Sequence, residues 1–165
     1  HLNFSAIVDY PFGLSDTNVR IHDIILAKRR GAKSIDLVIN RNDLEASNLA
    51  SIRKDFKACA SACAQYDISL RPVIEYRVSD WAFVMDLCYC LKSNASSEIV
   101  IGTGTMVDDI VDNIICCKTI EDQIEMPVVS CSPILSQDHY NIFYKSNIYG
   151  IRIKSYKILS NLCTI

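Results

Sequence analysis

The chain has 165 residues, half of them apolar and 22% charged, with a formal net charge of −2. That length supports a sizeable core, and the charge offers no basic surface for nucleic acid or an anionic membrane. No apolar run approaches the roughly 20 residues that span a bilayer, and the opening HLNFSAIVDY lacks the regions of a signal peptide.

SAIVDYPFG is a short apolar run ended by Pro11 and Gly13, which predicts a strand and a turn. Asp16 stands where it can cap a helix to about Arg30. Val19, Ile24, Ile25 and Ala27 lie towards one side of that helix, and Gly31 is its stop. SIDLVIN reads as a strand. LASIRKDFKACASACAQY carries Ile52, Phe56, Cys59 and Cys63 at helical spacing. ISLRPVIEY is the next strand, and Ser79 or Asp80 caps WAFVMDLCYCLK. EIVIGTG precedes a helix in MVDDIVDNIICCKTI. MPVVSC is a strand, SQDHYNIFYKS a poorer helix, YGIRIKS a last strand, and YKILSNL the start of a helix.

These are six β-then-α units, and such alternation predicts parallel strands covered by helices. The near-continuous apolar strands IVIG and MPVV suit a sheet buried on both faces. A doubly wound open sheet and a (β/α) barrel both fit, although a full barrel has eight units. One domain spans residues 1–165.

Eight cysteines form no CxxC pair, and His1, His22 and His139 are scattered, so neither a zinc site nor a cofactor is expected. Cys59/Cys63, Cys88/Cys90 and Cys116/Cys117 sit in apolar or helical patterns. They read as buried thiols in a reducing compartment such as the cytoplasm.

The segment DYPFGLSDTNVRIHDIILAKRRGAKSIDLVIN resembles the part of the deoxyribose-phosphate aldolases that reads FPFG-x-x-T-T-x-x-K-x-x-E, then GA-x-EIDMVIN. Pro11, Phe12, Gly13, Thr17, Gly31, Ala32, Ile35, Asp36, Val38, Ile39 and Asn40 agree; Arg20 stands for the usual Lys and Asp23 for the Glu. Downstream, LRPVIEY is similar to the LKVILET strand and GIRIKS to the RIGTS strand, with Pro72 and Tyr76 as departures. The resemblance implies a TIM-type (β/α) barrel. It also accounts for the count of six, because family members carry two βα units before the FPFG strand. The sequence is then a fragment, a barrel closed by a partner, or an open barrel.

The resemblance further implies class I aldolase chemistry. A lysine forms a Schiff base, and a second lysine lowers its pKa by like-charge repulsion. An Asp relays protons, and Gly-rich backbone holds a phosphate. Carried onto this sequence, the FVKTSTG motif falls on residues 99–105 and places Ile101 at the Schiff-base lysine. The VKASGGIRT motif falls on residues 128–136, places Val129 at the second lysine and puts Ser132-Pro133 in place of the glycine pair. Arg71 takes a further lysine position. Lys154 and Ser155 stand for the glycine and threonine of the last strand, and Asp36 remains as a relic of the acid/base set.

Isoleucine and valine form no imine, and losing a covalent nucleophile removes the route rather than a fraction of the rate. The expectation is a pseudoenzyme of the aldolase family with a structural, assembly or phospho-ligand-binding role. Its partners would be a homo- or hetero-oligomer and a small phosphorylated ligand held by Arg71, Lys154 and Ser155. The alternative is an active lyase on 2-deoxyribose 5-phosphate-like substrates, with Lys154 as the amine and Asp36 as acid/base. Asp36 also suits a buried ion pair with Arg71. Arg71 and Glu75, four apart on one strand, face the same way and can pair.

Overall fold

The computed structural model describes residues 4–94, 96–106, 109–153 and 160. Six strands alternate with helices in chain order: β1 (Ser5–Val8), α1 (Thr17–Arg29), β2 (Ser34–Val38), α2 (Arg41–Glu45), α3 (Leu49–Gln65), β3 (Ser69–Ile74), α4 (Trp81–Lys92), β4 (Ile99–Ile101), α5 (Ile110–Ile124), β5 (Val128–Ser130), α6 (Gln137–Lys145) and β6 (Gly150–Ile151). The strands form one parallel sheet in the order β1-β2-β3-β4-β5-β6. This sequential order is that of a TIM-type barrel and not of a doubly wound sheet, whose strand order reverses. Among the described residues β1 and β6 each pair on one side only, so the barrel stands open between them.

Local chemistry explains the element ends. Asp80 caps α4 by accepting from the Phe83 N–H (2.9 Å), while the Ser79 hydroxyl donates to the Leu44 carbonyl. Asp109 caps α5, and Asn40 caps α2, a five-residue turn of helix with no apolar repeat to announce it. Asp16 holds the N-cap position of α1 without a side-chain bond. Val19 is half-exposed rather than packed; the inner side of α1 is carried by Ile24 and Arg20. The terminal helix expected in YKILSNL lies outside the described residues, Ser160 excepted.

Strand alternation divides the sheet into two faces. Ile35, Leu37, Leu70, Ile74, Ile99, Ile101 and Val128 pack outward against Ile52, Phe56, Leu87, Leu91, Cys117 and Ile120 of the helices. The inward face holds a smaller apolar cluster of Val38, Val73, Val100 and Cys131, with Val129 against it.

The FPFG-like turn is built by its partners. Gly13 has φ +69°, and a Cβ there would lie 2.6 Å from the Val38 carbonyl oxygen. Arg20 is almost fully buried. Its guanidinium donates to the Val38 carbonyl and pairs with Asp55 of α3, which also accepts from the Thr17 hydroxyl at 2.6 Å. Thr17 and Arg20 therefore join α1, the end of β2 and α3.

The seven described cysteines are free. Burial pushes the thiols of Cys59, Cys63 and Cys88 from an ordinary 9.0 up to about 12. Among the described residues no helix is long and apolar enough to cross a membrane, and no group of three His, Cys, Asp or Glu is placed to hold a metal.

Two outcomes follow. Gly13→Ala will lower stability by more than about 2 kcal/mol in urea denaturation, because a left-handed conformation and a backbone clash add. The buried thiols favour the protonated form only in the folded state. Their contribution is complete below the unfolded pKa and fades as pH rises from about 9 towards 12. Thermal melting at stepped alkaline pH will show that decline, and iodoacetamide will label these three cysteines only on unfolding.

Candidate functional site in the barrel interior

The inward face is layered. Near the N-terminal ends of the strands, Ser5 lies opposite Ser34; one step on, Ile7, Asp36 and Arg71 are in register. The next row reads Val38, Val73, Val100, Val129 and Gly150 across five strands. A Cβ on Gly150 would sit 3.2 Å from Val129 Cγ2, so glycine leaves that row room for the valine.

Asp36 is the centre of the polar layer and is 2% exposed. Its Oδ1 accepts from Arg71 Nε at 2.6 Å, and its Oδ2 from an Arg152 Nη2 group that crosses from beyond β6. Arg71 continues outward, donating from Nη1 to Glu98 at 2.6 Å and from Nη2 to the Ser5 hydroxyl. Burial works against the Arg71 charge, but the bonds to Glu98 and Asp36 outweigh it and hold its pKa above the ordinary value. The expected Asp36–Arg71 pair is present. Glu98 and Arg152, which sequence reasoning did not single out, complete it.

Glu75 does not pair with Arg71. It lies just past β3, where strand alternation has ended, and accepts from the Thr103 backbone N–H (3.0 Å) and hydroxyl (2.6 Å). The Thr103 and Thr105 hydroxyls are themselves 2.6 Å apart. The Gly102–Thr105 turn thus has a carboxylate of the chain itself in its donor concavity. After β5, the Ser132 N–H donates to the Ser130 hydroxyl, which donates to the Asn113 side-chain oxygen.

Of the two positions assigned to lysines, Val129 faces the interior and Ile101 does not. Ile101 is fully buried in the sheet–helix core. The β4 residue in register with Val129 is Val100, and Glu98 and Gly102 are the other inward positions of that strand. Among the described residues no lysine stands at an inward position of β4 or β5. Lys154 and Ser155 lie outside the described residues.

Above the valine row, a cavity of about 460 Å³ opens at the C-terminal ends of the strands, lined by Ile7, Tyr10, Val73, Thr103, Cys131, Arg152 and Ile153. This is the end of a (β/α) barrel at which active sites lie.

No protein-family profile matches the chain. It is 26% identical over 99 residues to a deoxyribose-phosphate aldolase of Treponema denticola, covering 60% of this chain and 46% of that protein. A deoxyribose-phosphate aldolase of Desulfitobacterium hafniense is 25% identical over 100 residues, 61% of this chain and 46% of its own length. The chain spans about half the length of these curated relatives. Among solved structures, the aldolase QR15 superimposes with a TM-score of 0.82 at 13% identity, over 99% of this chain and 76% of QR15. The tetrameric deoxyribose phosphate aldolase of Aeropyrum pernix gives 0.83 at 14% identity, over 99% and 69%. Strand order, layered interior and these superpositions define a TIM-type (β/α) barrel fold. Over about 60% of its length the sequence is similar to deoxyribose-phosphate aldolases.

The interior network generates a measurable expectation. Asp36→Asn leaves two guanidiniums facing a neutral amide and will cost about 3–5 kcal/mol, the penalty for breaking a buried ion pair. Glu45→Gln, which removes only the exposed Arg41–Glu45 pair of α2, will cost less than about 0.5 kcal/mol. Urea midpoints of the two variants against the parent check both.

Proposed function

We propose that this aldolase-like protein does not form a Schiff base and acts through structure, assembly or ligand binding. The observation that supports this most directly is the inward face of β4 and β5. It carries Glu98, Val100, Gly102, Val129 and Cys131, and none of these side chains is an amine. Asp36 supports the same reading. A proton relay needs an oxygen free to meet the substrate, and both of its oxygens are engaged by guanidiniums.

Assembly fits the open edges. A parallel sheet with one-sided edges and half-exposed Phe4 and Ile7 beside β1 is a surface that another chain can cover by adding strands or helices. In this reading the working form is a homo- or hetero-oligomer. The Thr103 donors of the Gly102–Thr105 turn already serve Glu75, which argues against a phosphate held at that turn.

A second reading is favoured by the relatives themselves, which carry the name of an aldolase. In it the chain cleaves a carbon–carbon bond, with Lys154 as the amine. Borohydride trapping with small aldehydes and with 2-deoxyribose 5-phosphate separates the two. The non-catalytic reading expects no lysine adduct by mass spectrometry; an adduct on any lysine refutes it. Native mass spectrometry tests assembly, which expects species heavier than the 18.6 kDa chain; a lone chain at all concentrations contradicts it.

A further inference from the structure

We propose that the cavity at the barrel mouth binds a small uncharged molecule with an apolar body and one acceptor oxygen, and not a phosphate. This rests on the non-catalytic binding reading and names its ligand class.

The wall decides the body of the ligand. Ile7, Val73, Cys131 and Ile153 surround the space, and its 460 Å³ falls within the range of small-molecule sites. A sugar phosphate carries a polar group on nearly every carbon, and each would lose its water against such a wall without a partner.

The donors decide the head. Recognition of a phosphate at a strand end uses free backbone N–H groups. Here the Thr103 N–H and hydroxyl are bonded to Glu75, the Ser132 N–H to the Ser130 hydroxyl, and Pro133 has no N–H. Among the described residues Arg152 is the one guanidinium on the cavity wall. A guanidinium has five N–H donors, and among the described residues its side chain meets only Asp36, through Nη2. Four of them thus remain to meet an acceptor oxygen.

Charge decides against an anion. Among the described residues, Asp36, Glu75 and Glu98 stand with Arg71 and Arg152 in and just below the mouth, so three carboxylates face two guanidiniums. A dianion would meet described side chains that carry one negative charge in excess, where low dielectric strengthens repulsion.

The test is an amide NMR titration of the 165-residue chain with acetophenone, ethylbenzene, inorganic phosphate and 2-deoxyribose 5-phosphate. Acetophenone is expected to shift the amides of Val73, Cys131, Arg152 and Ile153, and ethylbenzene, which lacks the oxygen, to bind about tenfold more weakly. Neither phosphate compound is expected to move these signals. Ile7→Trp, on a half-exposed edge position, will fill the cavity and weaken acetophenone binding about tenfold with the rest of the spectrum kept. If that variant does not fold, Ile153→Trp replaces it. Shifts caused by either phosphate compound, no shift with acetophenone, or equal affinity for ethylbenzene would each overturn the proposal. Borohydride trapping of a lysine would instead overturn the non-catalytic reading, so the two failures are told apart.

Discussion

A buried carboxylate between two guanidiniums organises this barrel. Asp36 sits on β2, Arg71 on β3 and Arg152 beyond β6, so a single acidic side chain ties neighbouring strands to one 116 residues away. Taking such charges out of water costs several kcal/mol each, and the geometry must return it. Here each carboxylate oxygen meets one guanidinium, and Arg71 spends its other donors on Glu98 and Ser5. Among the described residues the sheet is open between β1 and β6. The Asp36–Arg152 contact spans the interior where no strand pairing does.

The layers above follow from that constraint. With charge confined below, the valine row can be dry, and Gly150 gives it room. Glu75 and Thr103 then seal the turn after β4 from within. Schiff-base chemistry needs a free amine at this level, a nearby cation to lower its pKa and an acid with an oxygen to spare. Among the described residues the inward row of β4 and β5 is Val100 and Val129, and both Asp36 oxygens are committed to guanidiniums. The described interior is given to packing and ion pairing.

Much of this was legible in the sequence. The six parallel strands with their alternating helices, the buried thiols and the Asp36–Arg71 pair follow from periodicity, apolar context and strand facing. What was hidden has physical reasons. The phase of β4 cannot be read from EIVIG, because a strand buried on both faces is apolar at every position. The register shows that Ile101 looks to the helices and Val100 to the interior. A pair of Glu75 with Arg71 requires the strand to continue through Glu75, and β3 ends at Ile74. Arg152 and Glu98 reach their partners from 116 and 27 residues away, distances at which spacing carries no signal. The short helix α2 depends on one capping side chain, Asn40, and not on a repeat.

The central claim is that Asp36 and Arg152 are energetically coupled across the interior. A double-mutant cycle of Asp36→Ala and Arg152→Ala, read by urea unfolding, tests it directly. The account predicts a coupling of more than about 1 kcal/mol, with the double variant more stable than the sum of the single losses allows. Additivity within about 0.3 kcal/mol would contradict it and leave Asp36 a local partner of Arg71 alone.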